Sequence, residues 1–294
     1  MHLASVKEII EQAKSRGAKI STIVIEAEME ETGRSRDDIC QQMDSHWSVM
    51  VAAMERGLHE QVRSKSGLTG GDAYKLFHVK DKSKYVSGIP VMDAVARAIA
   101  VAEVNAAMGK IVAAPTAGSC GVLPAVLYTI GKQLGKSRED IVAALFTAAG
   151  VGTVVGAKAF ISGAAGGCQA EVGTASCMAA VAGVELAGGD PEQAGHAGAI
   201  ALKNVLGLVC DPVAGLVEVP CIKRNAMGTA NALIAVDMAL AGIKSVIPID
   251  DAISAMREVG LSLPVSLKET ARGGLANTPC ARQLEKELNL GDFS

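Results

Sequence analysis

Long hydrophobic segments built from alanine and glycine constrain the fold of this chain more than any other feature. Hydrophobic residues make up 49% of the sequence, but aromatic residues make up only 3%. A core with so few large rings must be filled by small side chains, and alanine and glycine allow helices to pack closely. The sequence shows neither sustained polar–apolar alternation nor a repeat of fixed period. It therefore predicts an all-α fold, an Ala/Gly-rich packed helical domain.

Capping patterns indicate where the helices begin. Ser137 with Asp140, and Asp190 followed by Pro191, are typical helix starts, because both place a capping side chain and an acid at the N-terminus. The full set of predicted helices is 5–16, a short one from Ser21, one from Ser35, 93–108, 122–134, 137–155, one after Cys168 to Leu186, 190–206, 225–240, a short one capped by Asp250, and 278–288. Residues 1–62 are more charged than the rest and are interpreted as an N-terminal helical arm on a main helical domain, residues 63–294.

Charge and cysteine content exclude several classes of protein. The least charged run, 141–157, is slightly short for a bilayer span and is interpreted as a buried core helix. The net charge of −3 favours neither nucleic acid nor an anionic membrane surface as a partner. Seven cysteines, an odd number, follow a charged amphipathic N-terminus rather than a secretory signal. These features predict a cytoplasmic protein without a disulfide framework.

Three cysteines lie in turn-forming contexts and are candidate metal ligands. Two glycines precede Cys168, Pro212 follows Cys210, and Pro220 precedes Cys221. Glycine lets the backbone approach a bulky inorganic group, and soft thiolates suit iron or zinc. The spacing matches neither a zinc ribbon nor a ferredoxin run. Three ligands from distant segments would leave one metal position open, as a Lewis-acid catalyst requires.

Four strings carry a resemblance to a known family. They are KSGLTGG (65–71), APTAGSCGVLPAVL (114–127), GAAGGCQAE (163–171) and CDPVAGLVEVPC (210–221). They strongly resemble the alpha subunit of the two-subunit bacterial iron–sulfur-dependent L-serine dehydratases, and the resemblance covers about residues 5–288. It implies a largely helical catalytic domain, here residues 63–294, that holds a [4Fe-4S] cluster through Cys168, Cys210 and Cys221. The other cysteines, Cys40, Cys120, Cys177 and Cys280, are interpreted as small packing residues.

The resemblance also implies how L-serine would become pyruvate and ammonia without pyridoxal phosphate. The hydroxyl of serine would leave from an iron that no protein residue binds, and a base would remove the α-proton. In the family, the proposed base is a histidine in a Ser-His-Thr motif, and this chain contains no such motif. Its histidines, His2, His46, His59, His78 and His196, lie outside the small-residue motifs. The catalytic base is therefore expected on a beta subunit, within a hetero-oligomer.

Two glycine-rich loops are the candidate contacts for the substrate. Their backbone N–H groups are suited to bind a carboxylate, although both loops also fit as plain connections between helices. The candidate substrate-binding residues are Thr69, Gly70, Gly71, Thr116, Gly118 and Ser119. Glu171, Lys223, Arg224 and Asn225 lie beside the cysteines and are equally interpreted as supports of the site or as solvated charges at helix ends.

Two alternative functions remain open at this stage. One is a related β-eliminating lyase acting on L-cysteine or L-threonine, because pocket size and the preference for hydroxyl or thiol are not legible in the sequence. The other is a non-catalytic thiolate site that holds structural zinc or transfers electrons.

Overall fold

The structure, a computed structural model, describes residues 4–288, and within this range it is built from α-helices without a β-strand. The all-α prediction is therefore confirmed. The helices are α1 (Val6–Ser15), α2 (Ile20–Thr32), α3 (Arg36–His59), α4 (Asp72–Phe77), α5 (Ile89–Ala106), α6 (Val122–Leu134), α7 (Arg138–Lys158), α8 (Gly163–Gly166), α9 (Thr174–Ala187), α10 (Pro191–Lys203), α11 (Cys221–Leu240), α12 (Ile249–Ser262) and α13 (Pro279–Glu287).

Helix α9 forms the centre of the molecule. It packs against α6, α7, α10 and α11, and nearly every one of its residues is buried. Small residues make this packing possible: a β-carbon added to Gly198 of α10 would lie 2.6 Å from a side-chain carbon of Val181 in α9. The first three helices add Val6, Ile23 and Trp47 to the same hydrophobic core.

Two helical stretches are long and apolar enough to cross a membrane by length and composition alone. They are Arg138–Lys158 and Gln169–Ala187, and the apolar windows are 56% and 89% buried inside the protein. Core helices of soluble proteins pass the same test, so this property is weak evidence for a membrane span. The burial of α7 against α2 and α9 is the behaviour expected of a core helix.

Most predicted helix starts agree with the structure. Ser137 and Asp140 form the predicted capping box, and Asp190 accepts hydrogen bonds at the start of α10. The prediction that Asp250 caps its own helix is wrong, because α12 begins at Ile249 after an N-cap at Pro248. The carboxylate of Asp250 instead accepts hydrogen bonds from the backbone N–H groups of Val6 and Lys7, and so caps α1 from outside.

Candidate metal and substrate site

A tight turn at the end of α8 positions Cys168. Gly167 adopts a left-handed conformation with φ of 78°, and a β-carbon there would lie 2.8 Å from the backbone oxygen of Leu208. Residues Gln169–Gly173 form a single π-helical turn before α9, a distortion that is frequent at functional sites. The buried side chain of Gln169 donates to the carbonyl oxygens of Gly166 and Met256, which fixes this turn.

Cys210 is held by a segment from the C-terminal part of the chain, residues 264–278. Its backbone N–H donates to the carbonyl of Leu267 at 2.8 Å, and its own carbonyl accepts from Glu269 N–H at 2.7 Å. These two bonds form an isolated parallel β-bridge between Cys210 and Lys268. The next residue, Asp211, strengthens the attachment, because its carboxylate accepts from the N–H of Leu275 at 2.8 Å. Cys210 therefore depends on residues more than fifty positions later in the chain.

Cys221 is the first residue of α11 and directly follows Pro220. The predicted helix from Asn225 therefore begins four residues too late. All three candidate cysteines are buried, at 1%, 2% and 5% exposure for Cys168, Cys210 and Cys221. All seven cysteines lie within the described range and are free thiols. Of the other four, Cys120 and Cys177 are fully buried and burial raises the pKa of each to about 12, Cys40 is half-buried, and Cys280 is exposed.

Two of the three cysteines come together with a carboxylate. Ligand atoms of Cys168, Glu171 and Cys210 all lie within 4.8 Å of one another, a grouping that could hold a metal ion. Cys221 is not part of that tightest group, although its pKa is raised, first by burial and then by the charge of Cys168. A missing side chain makes room beside the sulfurs: a β-carbon on Gly163 would lie 2.6 Å from the sulfur of Cys210.

The guanidinium of Arg224 is a positive charge in contact with the sulfur of Cys168. It donates to the sulfur of Cys168 at 3.3 Å, to the carbonyl of Val209 at 2.7 Å and to the carboxylate of Asp211 at 2.8 Å. The pKa of Cys168 is lowered, first by a hydrogen bond with Cys210 and also by the charge of Arg224. The pKa of Cys210 is raised in turn by that same hydrogen bond and by burial. Cys168 is thus the sulfur of the pair that most readily becomes the thiolate.

Glu171 faces the cysteines from the π-helical turn and is only 8% exposed. Burial raises its pKa, and the hydroxyl of Thr116 donates a hydrogen bond to its carboxylate. Gly118 leaves space for this carboxylate, since a β-carbon there would lie 2.7 Å from one of its oxygens. The hydrogen bond between Thr116 and Glu171 therefore joins the loop 114–121 to the cysteine site. The sequence alone left open whether Glu171 supports the site or is a solvated charge at a helix end.

The other glycine-rich loop, residues 65–71, is bonded to a different carboxylate, that of Glu218. The hydroxyl of Thr69 donates to Glu218 at 2.6 Å, and both side chains are buried. Gly70 has φ of 130°, and a β-carbon there would lie 2.1 Å from the carbonyl oxygen of Val62, so only glycine fits. Gly71 has φ of 77° and is the N-cap of α4. The hydroxyls of both predicted substrate loops are thus bonded to carboxylates, that of Thr116 to Glu171 in the cysteine group and that of Thr69 to Glu218, three positions before Cys221.

Residues 218–225, around Cys221, join the two loops. The carboxylate of Glu218 accepts a hydrogen bond from Thr69, and the ammonium group of Lys223 pairs with Asp72, directly after the loop 65–71. Asn225, which is fully buried, donates to the carbonyl of Gly118 at 2.7 Å. It also donates to the carbonyl of Cys221 at 3.0 Å and accepts from the N–H of Gly121 at 2.9 Å. Ser119 is likewise buried, and its hydroxyl lies 3.3 Å from that of Thr116.

Sequence reasoning missed two acidic residues. Glu103 is 1% exposed and accepts hydrogen bonds from the N–H groups of Asp72 and Ala73, which anchors the start of α4. Glu269 directs a carboxylate oxygen to within 3.3 Å of the position of a β-carbon on Gly163. Neither residue lies in a recognisable motif. The one signal in the sequence was a charged residue at Glu103, within the apolar run 98–104.

The histidines of the described range make their contacts away from the cysteine site. His59 and His78 lie in a ring cluster with Phe77, and the Nδ1 atom of His196 accepts from the backbone N–H of Ser245. His46 lines a surface cavity between α2, α3 and α7. His2 lies outside the described residues.

Comparison with known proteins assigns the chain to a family. The model of the family described as "Serine dehydratase alpha chain" matches residues 15–276. The chain is 57% identical over 284 residues to the "Probable L-serine dehydratase, alpha chain" of Bacillus subtilis, covering 97% of this chain and 94% of the relative. It is 42% identical over 291 residues to the "L-serine dehydratase, alpha chain" of Peptoniphilus asaccharolyticus, covering 99% and 100%. The protein is a member of the serine dehydratase alpha-chain family.

A third relative is longer than this chain. The chain is 39% identical over 276 residues to the "L-serine dehydratase" of Streptomyces coelicolor, which covers 92% of this chain but only 59% of that protein. The homologous part is thus joined to further sequence in the same polypeptide in that relative.

Proposed function

We propose that this chain is the catalytic subunit of an iron–sulfur-dependent enzyme that deaminates L-serine to pyruvate and ammonia. The observation that carries the proposal is the buried group of Cys168, Cys210 and Glu171, whose carboxylate accepts a hydrogen bond from Thr116 of the glycine-rich loop 114–121. The names of the alpha-chain relatives in Bacillus and Peptoniphilus support the same activity.

The donor set fits an iron–sulfur cluster held by three cysteines. Thiols are the preferred ligands of such clusters, and burial protects a cluster from solvent. Gly163 leaves an open space against the sulfur of Cys210 that a larger residue would fill. Cys168, Cys210 and Cys221 would hold the [4Fe-4S] group. When bound, a cluster with one iron that the protein leaves free supplies a Lewis acid for the departure of the substrate hydroxyl.

The residues of this chain would prepare that reaction in three ways. The hydrogen bond from Arg224 to the sulfur of Cys168 favours its thiolate form, as metal binding requires. The loops that contain Thr69 and Thr116 would bind the carboxylate of serine through backbone N–H groups. Because the site is lined by buried residues, it would exclude bulk water while the α-proton is removed. Loss of that proton and of the hydroxyl gives aminoacrylate, which tautomerises and hydrolyses to pyruvate and ammonia.

The general base would come from a second polypeptide. The described histidines contact residues outside the cysteine site, and the chain lacks the Ser-His-Thr motif expected for the base. The alpha-chain names of the relatives imply a companion subunit, and the Streptomyces relative carries additional sequence in one polypeptide. We expect a cytoplasmic hetero-oligomer with a beta subunit that bears this motif, with neither nucleic acid nor membrane as a partner.

The test is an anaerobic assay of the reconstituted chain, with and without the second subunit. The complex should form pyruvate from L-serine, whereas the isolated chain should bind iron and sulfide but turn over slowly. General-base catalysis is worth on the order of 10²–10⁴ in rate, which sets the expected difference. Full activity of the isolated chain would place the base on this chain. Failure of the complex to form pyruvate, or faster conversion of L-cysteine or L-threonine, would contradict the proposed substrate.

A further inference from the structure

Glu269 has an unusual backbone conformation beside the cysteines. Its φ is 62° and that of Ala271 is 55°, although neither residue is glycine. A left-handed conformation is unfavourable for residues with a β-carbon and persists only where the surroundings enforce it. Here the enforcement comes from Cys210, which accepts the N–H of Glu269 within the β-bridge to Lys268. The strained turn fixes the direction of the Glu269 side chain.

That side chain points towards the sulfurs. One carboxylate oxygen of Glu269 would lie 3.3 Å from a β-carbon on Gly163, and the sulfur of Cys210 would lie 2.6 Å from the same point. Within the described part of the chain, no side-chain hydrogen bond or ion pair engages the Glu269 carboxylate. Glu269 is partly exposed, so a small solute can approach it. An ionisable group is thus directed into the site without a partner among residues 4–288.

A second carboxylate faces the same space. Glu171 is grouped with Cys168 and Cys210, and the sulfur of Cys210 lies beside the same position on Gly163 as the carboxylate of Glu269. Two carboxylates within electrostatic reach repel each other, and a cation between them relieves that repulsion. Arg224 does not serve this purpose, because its guanidinium is already bonded to Cys168, Val209 and Asp211.

The proposed substrate brings a cation of suitable size. L-Serine carries an ammonium group with three hydrogen-bond donors, and a carboxylate accepts such donors in short, strong bonds. We infer that Glu269, with Glu171 opposite, binds the α-ammonium group of the substrate and selects amino acids over the corresponding hydroxy acids. This inference rests on the proposed function of the same site.

The test uses the reconstituted complex with its second subunit and a Glu269→Gln variant. Glutamine has the same shape and the same backbone preference, but it lacks the charge. The KM for L-serine should rise about 10- to 100-fold, the ratio expected for losing a hydrogen bond between charged groups, whereas kcat should change much less. Inhibition by L-alanine, which keeps the ammonium group, should weaken to the same extent. Inhibition by 3-hydroxypropanoate, which lacks it, should not change.

Control variants separate binding from other roles. Glu258→Gln removes a carboxylate from the exposed surface of α12 and should leave KM, kcat and both inhibition constants unchanged. Glu269→Asp keeps the charge and should recover part of the affinity. The inference is overturned if Glu269→Gln lowers kcat without raising KM, weakens both inhibitors equally, or loses cluster iron. Absence of pyruvate formation by the unmodified complex would instead contradict the proposed function, and the inference would fall with it.

Discussion

Asn225 offers the sharpest test of how the site is supported. Its amide makes three hydrogen bonds in a fully buried position, to the carbonyls of Gly118 and Cys221 and from the N–H of Gly121. Each such bond contributes about 1 kcal/mol net, so Asn225→Ala should lower the free energy of unfolding by about 3 kcal/mol. That is a large fraction of the roughly 5–15 kcal/mol that stabilises a typical domain.

The matched control for this variant lies six residues later in the same helix. Asn231 is only half-buried; it donates to the carbonyl of Ala201, and its other bond, from the side chain of Asn204, is exposed to solvent and contributes little, so Asn231→Ala should cost about 1 kcal/mol. Urea unfolding of both variants gives the two values. Hydrogen exchange of the loop 114–121 should accelerate only in Asn225→Ala. Equal losses in the two variants, or unchanged exchange in this loop, would refute the role assigned to Asn225.

Three further predictions concern the space beside the sulfur of Cys210, the protonation of Glu103 and the sensitivity of the cluster to air. Gly163→Ala should bind less iron in a folded chain, because its β-carbon would stand 2.6 Å from the sulfur of Cys210; Gly156→Ala, with no atom nearer than 3.9 Å, should bind iron normally. Burial raises the pKa of Glu103 above its ordinary value of 4.5, so its contribution to stability is fully present below that pH and is lost as the pH rises through the folded pKa. Urea unfolding between pH 4.5 and 7 should therefore show a smaller decline for Glu103→Gln than for the unmodified protein. Aerobic purification should yield iron-poor, inactive enzyme that regains activity with ferrous iron, sulfide and thiol, and full activity after days in air would contradict an iron without a protein ligand.

The local pattern of the sequence predicted most of the helices, but it did not predict how they assemble into a site. Caps such as Ser137 with Asp140 act within one turn, so they are legible in the sequence. Asp250 looked like such a cap, yet its carboxylate serves α1, because tertiary contacts decide which N–H groups it meets. Glu269 could not be identified at all. Its approach to the cysteines depends on a β-bridge to Cys210 between segments distant in the chain.

The candidate site likewise has features that the sequence predicts and contacts that only the fold creates. The motif KSGLTGG already contains the glycine that position 70 requires. The structure shows that the carbonyl oxygen of Val62 leaves no room for a β-carbon there. The bond between Thr116 and Glu171 and the bond between Thr69 and Glu218 join residues far apart in the chain. Such pairs have no periodic or spacing signal, so only the fold brings them together.

The most direct test of the account is the cluster content and activity of Cys221→Ser, prepared and assayed under nitrogen with the second subunit. Cys221 is the proposed ligand that lies outside the tightest group of donor atoms, so it is the ligand most open to challenge. The account predicts that this variant loses the visible absorption of the cluster, its iron and its pyruvate formation, as Cys168→Ser and Cys210→Ser should, while Cys177→Ser retains all three. Full iron and activity in Cys221→Ser, with loss of both in Glu171→Gln, would show that a carboxylate takes the place assigned to the third cysteine.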